Sequence, residues 1–187
     1  MPHVRKITVL GASGVGKSAL TVRFCSGAFV FKYDPTVEDQ FRKPSTIDEE
    51  PYILDIVDTA GTERLVVMRD VHIHNSDGFM LVYSLIAEDT FRAIPEFWKS
   101  VVQVRETNDI PAILVGNKCD LKDLRSVDYF AGQREADRLG MLFTETSAKL
   151  DIGVTDAFHA LVRHINAMMP PPSPKKKKHH KRSCTIL

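Results

Sequence analysis

Cysteine is scarce in this sequence: Cys25, Cys119 and Cys184 are the only three among 187 residues. Their odd number and wide spacing support neither a disulfide framework nor a zinc site. A reducing, cytosolic compartment is therefore expected. No stretch approaches the roughly 18 apolar residues of a spanning helix. The opening Met1-Pro2-His3-Val4-Arg5-Lys6 leads straight into a strand-like run and reads as no secretory signal. The chain also lacks a strong net charge, at +1. That balance conceals a split. Residues 170–187 hold six positive charges (Lys175, Lys176, Lys177, Lys178, Lys181, Arg182) and no acid, which leaves −5 on residues 1–169. An acidic body argues against nucleic acid as a partner.

What is present is an ordinary globular composition, 43% hydrophobic and 26% charged. It suits one domain with a sizeable core, expected to be a monomer. Five short apolar runs stand out: Ile7–Leu10, Tyr52–Val57, Gly78–Leu85, Pro111–Gly116 and Met141–Thr146. Most are continuous rather than alternating, as in a parallel sheet covered on both faces. Arg42–Ile47 is weaker and reads as an edge strand beside Tyr52–Val57. Phe158, Leu161, Val162, Ile165 and Met168 fall on one helical face, as do Phe91, Ile94, Trp98, Val101 and Val102. Pro95 interrupts the second pattern, so a bend near Phe91–Pro95 or a helix beginning around Pro95 is expected. Strands alternating with helices predict an α/β fold with a doubly wound sheet. The domain is expected over residues 1–169. Residues 170–187, with Pro170, Pro171, Pro172 and Pro174 followed by the lysines, read as a disordered basic tail.

Gly11-Ala12-Ser13-Gly14-Val15-Gly16-Lys17-Ser18 fits G-x-x-x-x-G-K-[ST]. It follows the Ile7–Leu10 strand and precedes a helix-like run, Ala19–Cys25, which is the context this motif requires. Gly14, Val15, Gly16, Lys17, Ser18 and Ala19 are the expected phosphate-binding residues, with glycines freeing backbone N–H groups and the helix presenting its positive end. Lys17 would reach the β- and γ-phosphates and the Ser18 hydroxyl would ligate Mg²⁺. A glycine-rich turn with an exposed lysine is the plainer alternative, and the strand–loop–helix context speaks against it.

Asn117-Lys118-Cys119-Asp120 lies just beyond the Pro111–Gly116 strand, and Ser147-Ala148-Lys149 just beyond Met141–Thr146. Both sit at the carboxyl edge, where such sheets bind ligands. The Asp120 carboxylate can accept two hydrogen bonds from guanine N1–H and its exocyclic amine. Adenine lacks that pair of donors, so ATP would leave Asp120 desolvated and unpaired.

These motifs, with Tyr33-Asp34-Pro35-Thr36-Val37-Glu38-Asp39 and Asp58-Thr59-Ala60-Gly61, make the chain resemble small GTPases of the Ras superfamily, and within it the Ras/Rap branch. The resemblance spans about residues 4–168 and the C-terminal tetrapeptide. It implies a three-layer P-loop GTPase fold, with a mostly parallel six-stranded sheet and helices on both faces. It implies GTP/GDP and Mg²⁺ as cofactors, and effectors, an exchange factor and a GTPase-activating protein as partners. Thr36 would bind Mg²⁺ and the γ-phosphate. Asp58 would hold Mg²⁺ through water, the Gly61 N–H would contact the γ-phosphate, and Phe29 and Tyr33 would line the nucleotide. Val37, Glu38, Asp39, Gln40, Phe41 and Arg42 would form the effector surface. Lys32 and Thr62 look like Rap. Ile94-Pro95-Glu96-Phe97-Trp98 looks like Rho, but the Rho insert after Asp120 is missing.

Two positions depart from Ras. Thr62 stands where Ras has the glutamine that orients the attacking water, and Ser13 stands where Ras and Rap have glycine. With Lys17, Gly61 and Thr62 as the catalytic set, a slow GTPase switch is expected. A GTP-locked binding module and an ATP-dependent P-loop phosphotransferase are the alternatives; the latter has no use for Asn117 and Asp120. At the other end, Cys184-Thr185-Ile186-Leu187 fits C-a-a-X with a leucine that favours geranylgeranyl. The adjoining basic run supplies the second signal that a single lipid needs. Attachment to the anionic cytoplasmic face of the plasma membrane or an endomembrane is expected.

Overall fold

The computed structural model describes residues 2–29, 38–59 and 66–170. Its six strands are β1 (His3–Leu10), β2 (Glu38–Ile47), β3 (Glu50–Thr59), β4 (Gly78–Ser84), β5 (Ala112–Asn117) and β6 (Leu142–Thr146). They form one sheet in the order β2-β3-β1-β4-β5-β6. β1 pairs parallel with β3 and β4, and β4–β5 and β5–β6 are also parallel. Only β2 runs antiparallel, against β3. The helices are α1 (Lys17–Ser26), α2 (Val66–Asn75), α3 (Glu88–Arg92), α4 (Ile94–Arg105), α5 (Tyr129–Leu139) and α6 (Val154–Met168).

Every residue of β4 and β5 is buried, because both faces of the sheet are covered. Period-two alternation then splits β4 between two cores. Met80 and Val82 face α1 and α6, where they join Leu20, Phe24, Phe158, Leu161 and Ile165. Phe79, Leu81 and Tyr83 face the other way, with Ile73, Ile94, Trp98, Val101 and Ala136. The Phe24 and Phe158 rings stack at 4.2 Å between centroids and lock α1 to α6. The edge strand β2 alternates half-buried and exposed residues from Phe41 to Thr46. It tolerates Pro44, whose missing N–H a central strand would need.

The sequence reading holds at each expected strand, and β2 begins four residues earlier than Arg42. The expected break in the third helical segment is also present. α3 ends at Arg92, Ala93 intervenes, and α4 carries Pro95 in its first turn. There the absent N–H would have had no partner inside the helix. α2 and α5 had no counterpart in the sequence reading. Residues 171–187, and with them Cys184 and the basic run, lie outside the described residues. No helix among the described residues is long and apolar enough to cross a membrane.

Candidate functional site

Parallel pairing brings the carboxyl ends of β1, β3, β4, β5 and β6 to one edge. β1 and β4 are neighbours whose connections leave on opposite sides, which opens a crevice at that edge. The loop after β1 is shaped by two glycines. Gly11 has φ 146°, and a Cβ there would lie 2.1 Å from the Val82 carbonyl oxygen. Gly16 has φ 99°, and a Cβ would lie 2.3 Å from Asn117 Nδ2. Only glycine satisfies either position. Gly16 is the N-cap of α1 and has no side chain to close the first turn, so the first amides of the helix are left for a ligand.

Lys17 is 5% exposed. Its ammonium folds over the loop and donates to Gly11 O at 2.9 Å and Ala12 O at 3.0 Å. Burial lowers its pKa to about 8, partly opposed by the negative charge of Asp58. Asp58, near the end of β3, is fully buried. Neither of its carboxylate oxygens has a hydrogen-bond partner among the described residues. Burial pushes its pKa up, while the nearby Ser18 hydroxyl and the Lys17 charge pull it back. Ser18 is thus close enough to favour the carboxylate without closing a well-formed hydrogen bond on either oxygen. A desolvated carboxylate beside a hydroxyl is a hard-oxygen donor set of the kind Mg²⁺ takes. Among the described residues no group of three or more His, Cys, Asp or Glu side chains offers another metal site.

At the base end, Asn117 is 2% exposed and braces three segments. Its Nδ2 donates to Val15 O at 2.9 Å. Its Oδ1 accepts from Thr146 Oγ1 at 3.2 Å and from the Ala148 N–H at 3.3 Å. Lys118, at φ 72°, donates from Nζ to Gly14 O at 2.8 Å, and burial lowers its pKa. Asp120 Oδ1 accepts from Ser147 Oγ at 2.6 Å, and Ser147 Oγ in turn accepts from the Leu150 N–H at 3.0 Å. The Cys119 N–H donates to Thr146 O at 3.0 Å and ties the two loops together. The sequence singled out Gly14 to Ala19, Asn117, Lys118, Asp120 and Ser147 to Lys149 separately; the fold gathers them. Their bracing of one another carried no signal in motif spacing.

Phe29 is half-buried against the α1–α6 core. In β2, Asp39, Gln40 and Arg42 are exposed and Phe41 is half-buried. Arg42 Nε lies 3.2 Å from Asp55 Oδ1. Tyr33, Thr36, Val37, Gly61 and Thr62 fall outside the described residues. Residues 6–167 match the sequence profile of the Ras family. A phosphate loop, a buried carboxylate facing it and a base loop ending in Asp120 stand at one sheet edge over that same span, and the chain belongs to the Ras family of GTP-binding, GTP-hydrolysing switches.

Proposed function

We propose that this protein is a slow GTPase switch of the Ras/Rap branch, anchored to a membrane by a prenylated C-terminus. The observation that carries the nucleotide reading is the Asn117 brace, which joins the phosphate loop, the Asn117–Asp120 loop and the Ser147–Lys149 loop into one cleft. Phosphates would rest on the amides of Gly14, Val15, Gly16, Lys17, Ser18 and Ala19. Lys17 would swing from its two carbonyl partners to the β- and γ-oxygens. Ser18, Thr36 and, through water, Asp58 would hold Mg²⁺. The ion when bound neutralises charge on the transferred phosphoryl group. Asp120 would read guanine, helped by Asn117, Lys118, Ser147, Ala148 and Lys149, with Phe29 and Tyr33 against the nucleotide.

Thr36 and the Gly61 N–H would sense the γ-phosphate, so its loss would release the segments that carry them. Effectors would dock on Val37, Glu38, Asp39, Gln40, Phe41 and Arg42. Hydrolysis would be slow because Thr62 has no carboxamide to orient water, and because Ser13 would place a side chain within the phosphate loop, close to the γ-phosphate and to the space that an arginine finger would enter. Intrinsic turnover at or below about 10⁻⁴ s⁻¹ is expected. Prenylated Cys184 and the six basic residues would together hold the protein on an anionic cytoplasmic leaflet.

Nucleotide analysis of the purified full chain decides among the alternatives. GDP is expected; GTP alone would favour the locked binding module, and ATP would overturn the guanine assignment. Single-turnover hydrolysis by the unmodified protein, Ser13→Gly, Thr62→Gln and the double variant tests the slow-switch reading, with the double variant gaining most. Equal rates for the unmodified protein and the double variant would defeat it. Cys184→Ser should shift the protein from the membrane to the soluble fraction, and unchanged fractionation would refute the lipid anchor.

A further inference from the structure

Arg23 belongs to none of the sequence motifs, yet its guanidinium joins three parts of the site. Nε donates to Ala148 O at 2.8 Å, Nη2 to Lys149 O at 3.0 Å and Nη1 to Gly27 O at 2.6 Å. Its Cζ stands 5.9 Å from the centroid of the Phe29 ring, within cation–π range. Capping α1 is the simplest role for such a residue. Gly27, at φ 70°, is the C-cap and its N–H returns to the Arg23 carbonyl at 2.9 Å. A cation there also suits the helix dipole. Capping, however, accounts for only one of the three hydrogen bonds. The other two fix consecutive carbonyls of a loop from the far end of the chain, and the ring contact holds the residue expected to lie against the nucleotide.

We propose that Arg23 is a positioning residue that controls nucleotide release, a reading that rests on guanine nucleotide binding at this site. The planar fork holds the Ala148 and Lys149 carbonyls and the Gly27 carbonyl at fixed angles from one rigid group, a geometry that a single ammonium on a flexible stem does not reproduce. Pinned this way, Ala148 and Lys149 are held in their bound arrangement before the nucleotide arrives. Preorganisation of this kind acts chiefly on the dissociation rate. Arg23 also fixes the point where α1 hands over to Phe29, so the wall behind the nucleotide and the loop at the base move as one body.

The test is release of fluorescent GDP from the loaded full chain into excess GDP, with Mg²⁺ and with EDTA, for the unmodified protein, Arg23→Ala and Arg23→Lys. Release from Arg23→Ala should be on the order of tenfold faster, as expected for loss of charge-assisted hydrogen bonds. The factor should be similar with and without Mg²⁺, because the residue acts at the base end. Arg23→Lys should fall between the two, and it carries the test if Arg23→Ala does not fold. Amide exchange of the nucleotide-free protein supplies the positional readout: residues 147–150 should exchange faster in Arg23→Ala, with β4 and β5 unchanged. Unchanged release, acceleration confined to Mg²⁺ conditions, or a uniform rise in exchange would each overturn the proposal. If the unmodified protein retains no GDP, the nucleotide reading itself fails, and this one with it.

Discussion

The phosphate end and the base end of the cleft meet their carboxylates in opposite ways. At the base end, Asp120 accepts a short bond from Ser147, and Asn117 has both amide atoms engaged by the protein. At the phosphate end, Asp58 is buried with neither oxygen hydrogen-bonded among the described residues, although the lysine at each end, Lys17 and Lys118, is held by loop carbonyls. One end is closed by the chain's own hydrogen bonds. The other carries a desolvation cost that a cation and an anion would relieve together. The contrast suits a switch. On the proposed reading, base recognition would stay constant through the cycle, while the end that meets the γ-phosphate would be completed by the ligand.

The largest expected effect tests the closed end. Asp120→Asn should weaken GTP binding by about a hundredfold or more, since a site built on polar pairing rejects a mismatched ligand strongly. Xanthine replaces the exocyclic amine with a carbonyl, which an amide N–H₂ can meet. Preference should therefore move toward xanthosine triphosphate, as competition binding would show. Equal affinity of the unmodified protein for ATP and GTP would sink the assignment.

Asp58→Asn tests the incomplete end. Desolvation of this carboxylate outweighs the pull of the Ser18 hydroxyl and the Lys17 charge, so removing its charge should raise the unfolding midpoint of the ligand-free protein. The same change should erase most of the effect of EDTA on nucleotide release. A variant that is less stable without ligand, or still fully sensitive to EDTA, would break the contrast between the two ends. Ser147→Ala is smaller. It removes one hydrogen bond to Asp120 and leaves the Leu150 N–H without its acceptor, so guanine affinity should fall by roughly fivefold to tenfold. Mg²⁺ dependence should not change.

How much of this was legible in the sequence varied with the range of the interaction. The strands were readable because both faces of the sheet are covered, which turns β4 and β5 into unbroken apolar runs. The α3–α4 break was readable because Pro95 acts locally. α5 was not. Its buried positions are Gly132 and Ala136, with Ala131 and Leu139 partly buried beside them, while the larger Tyr129 and Phe130 are exposed, so its core face is built mostly of small residues that stand out little in the sequence. Gly132 is there because a Cβ would come within 2.5 Å of Phe143 and of the Tyr83 hydroxyl. The phosphate and base loops were legible as motifs at strand ends. Their mutual bracing, from Asn117 to Val15, Lys118 to Gly14 and Arg23 to Ala148, joins segments far apart in the chain. Nothing in local periodicity or spacing records such contacts.

The smallest expected effect concerns the proton on Lys17. Burial places its pKa at about 8 in the ligand-free fold, below its ordinary 10.5. Between those two values the unfolded chain binds more protons than the folded one, so the ligand-free protein should gain stability as pH rises through that window. Nucleotide phosphates reverse the balance, because an anion beside the ammonium favours its charged form. Binding above pH 8 should then take up a proton. Apparent affinity should fall by about threefold between pH 7.5 and 8.5, as one group titrating near 8 requires. Calorimetry at pH 8.5 in two buffers of different ionisation enthalpy measures the uptake directly. Lys17→Arg, whose guanidinium stays charged in this range, should remove the proton uptake whatever it does to affinity. An affinity that is flat across that interval, with no buffer dependence, would show that Lys17 is already fully charged in the empty site. The phosphate end would then be less incomplete than the burial of Lys17 and Asp58 implies.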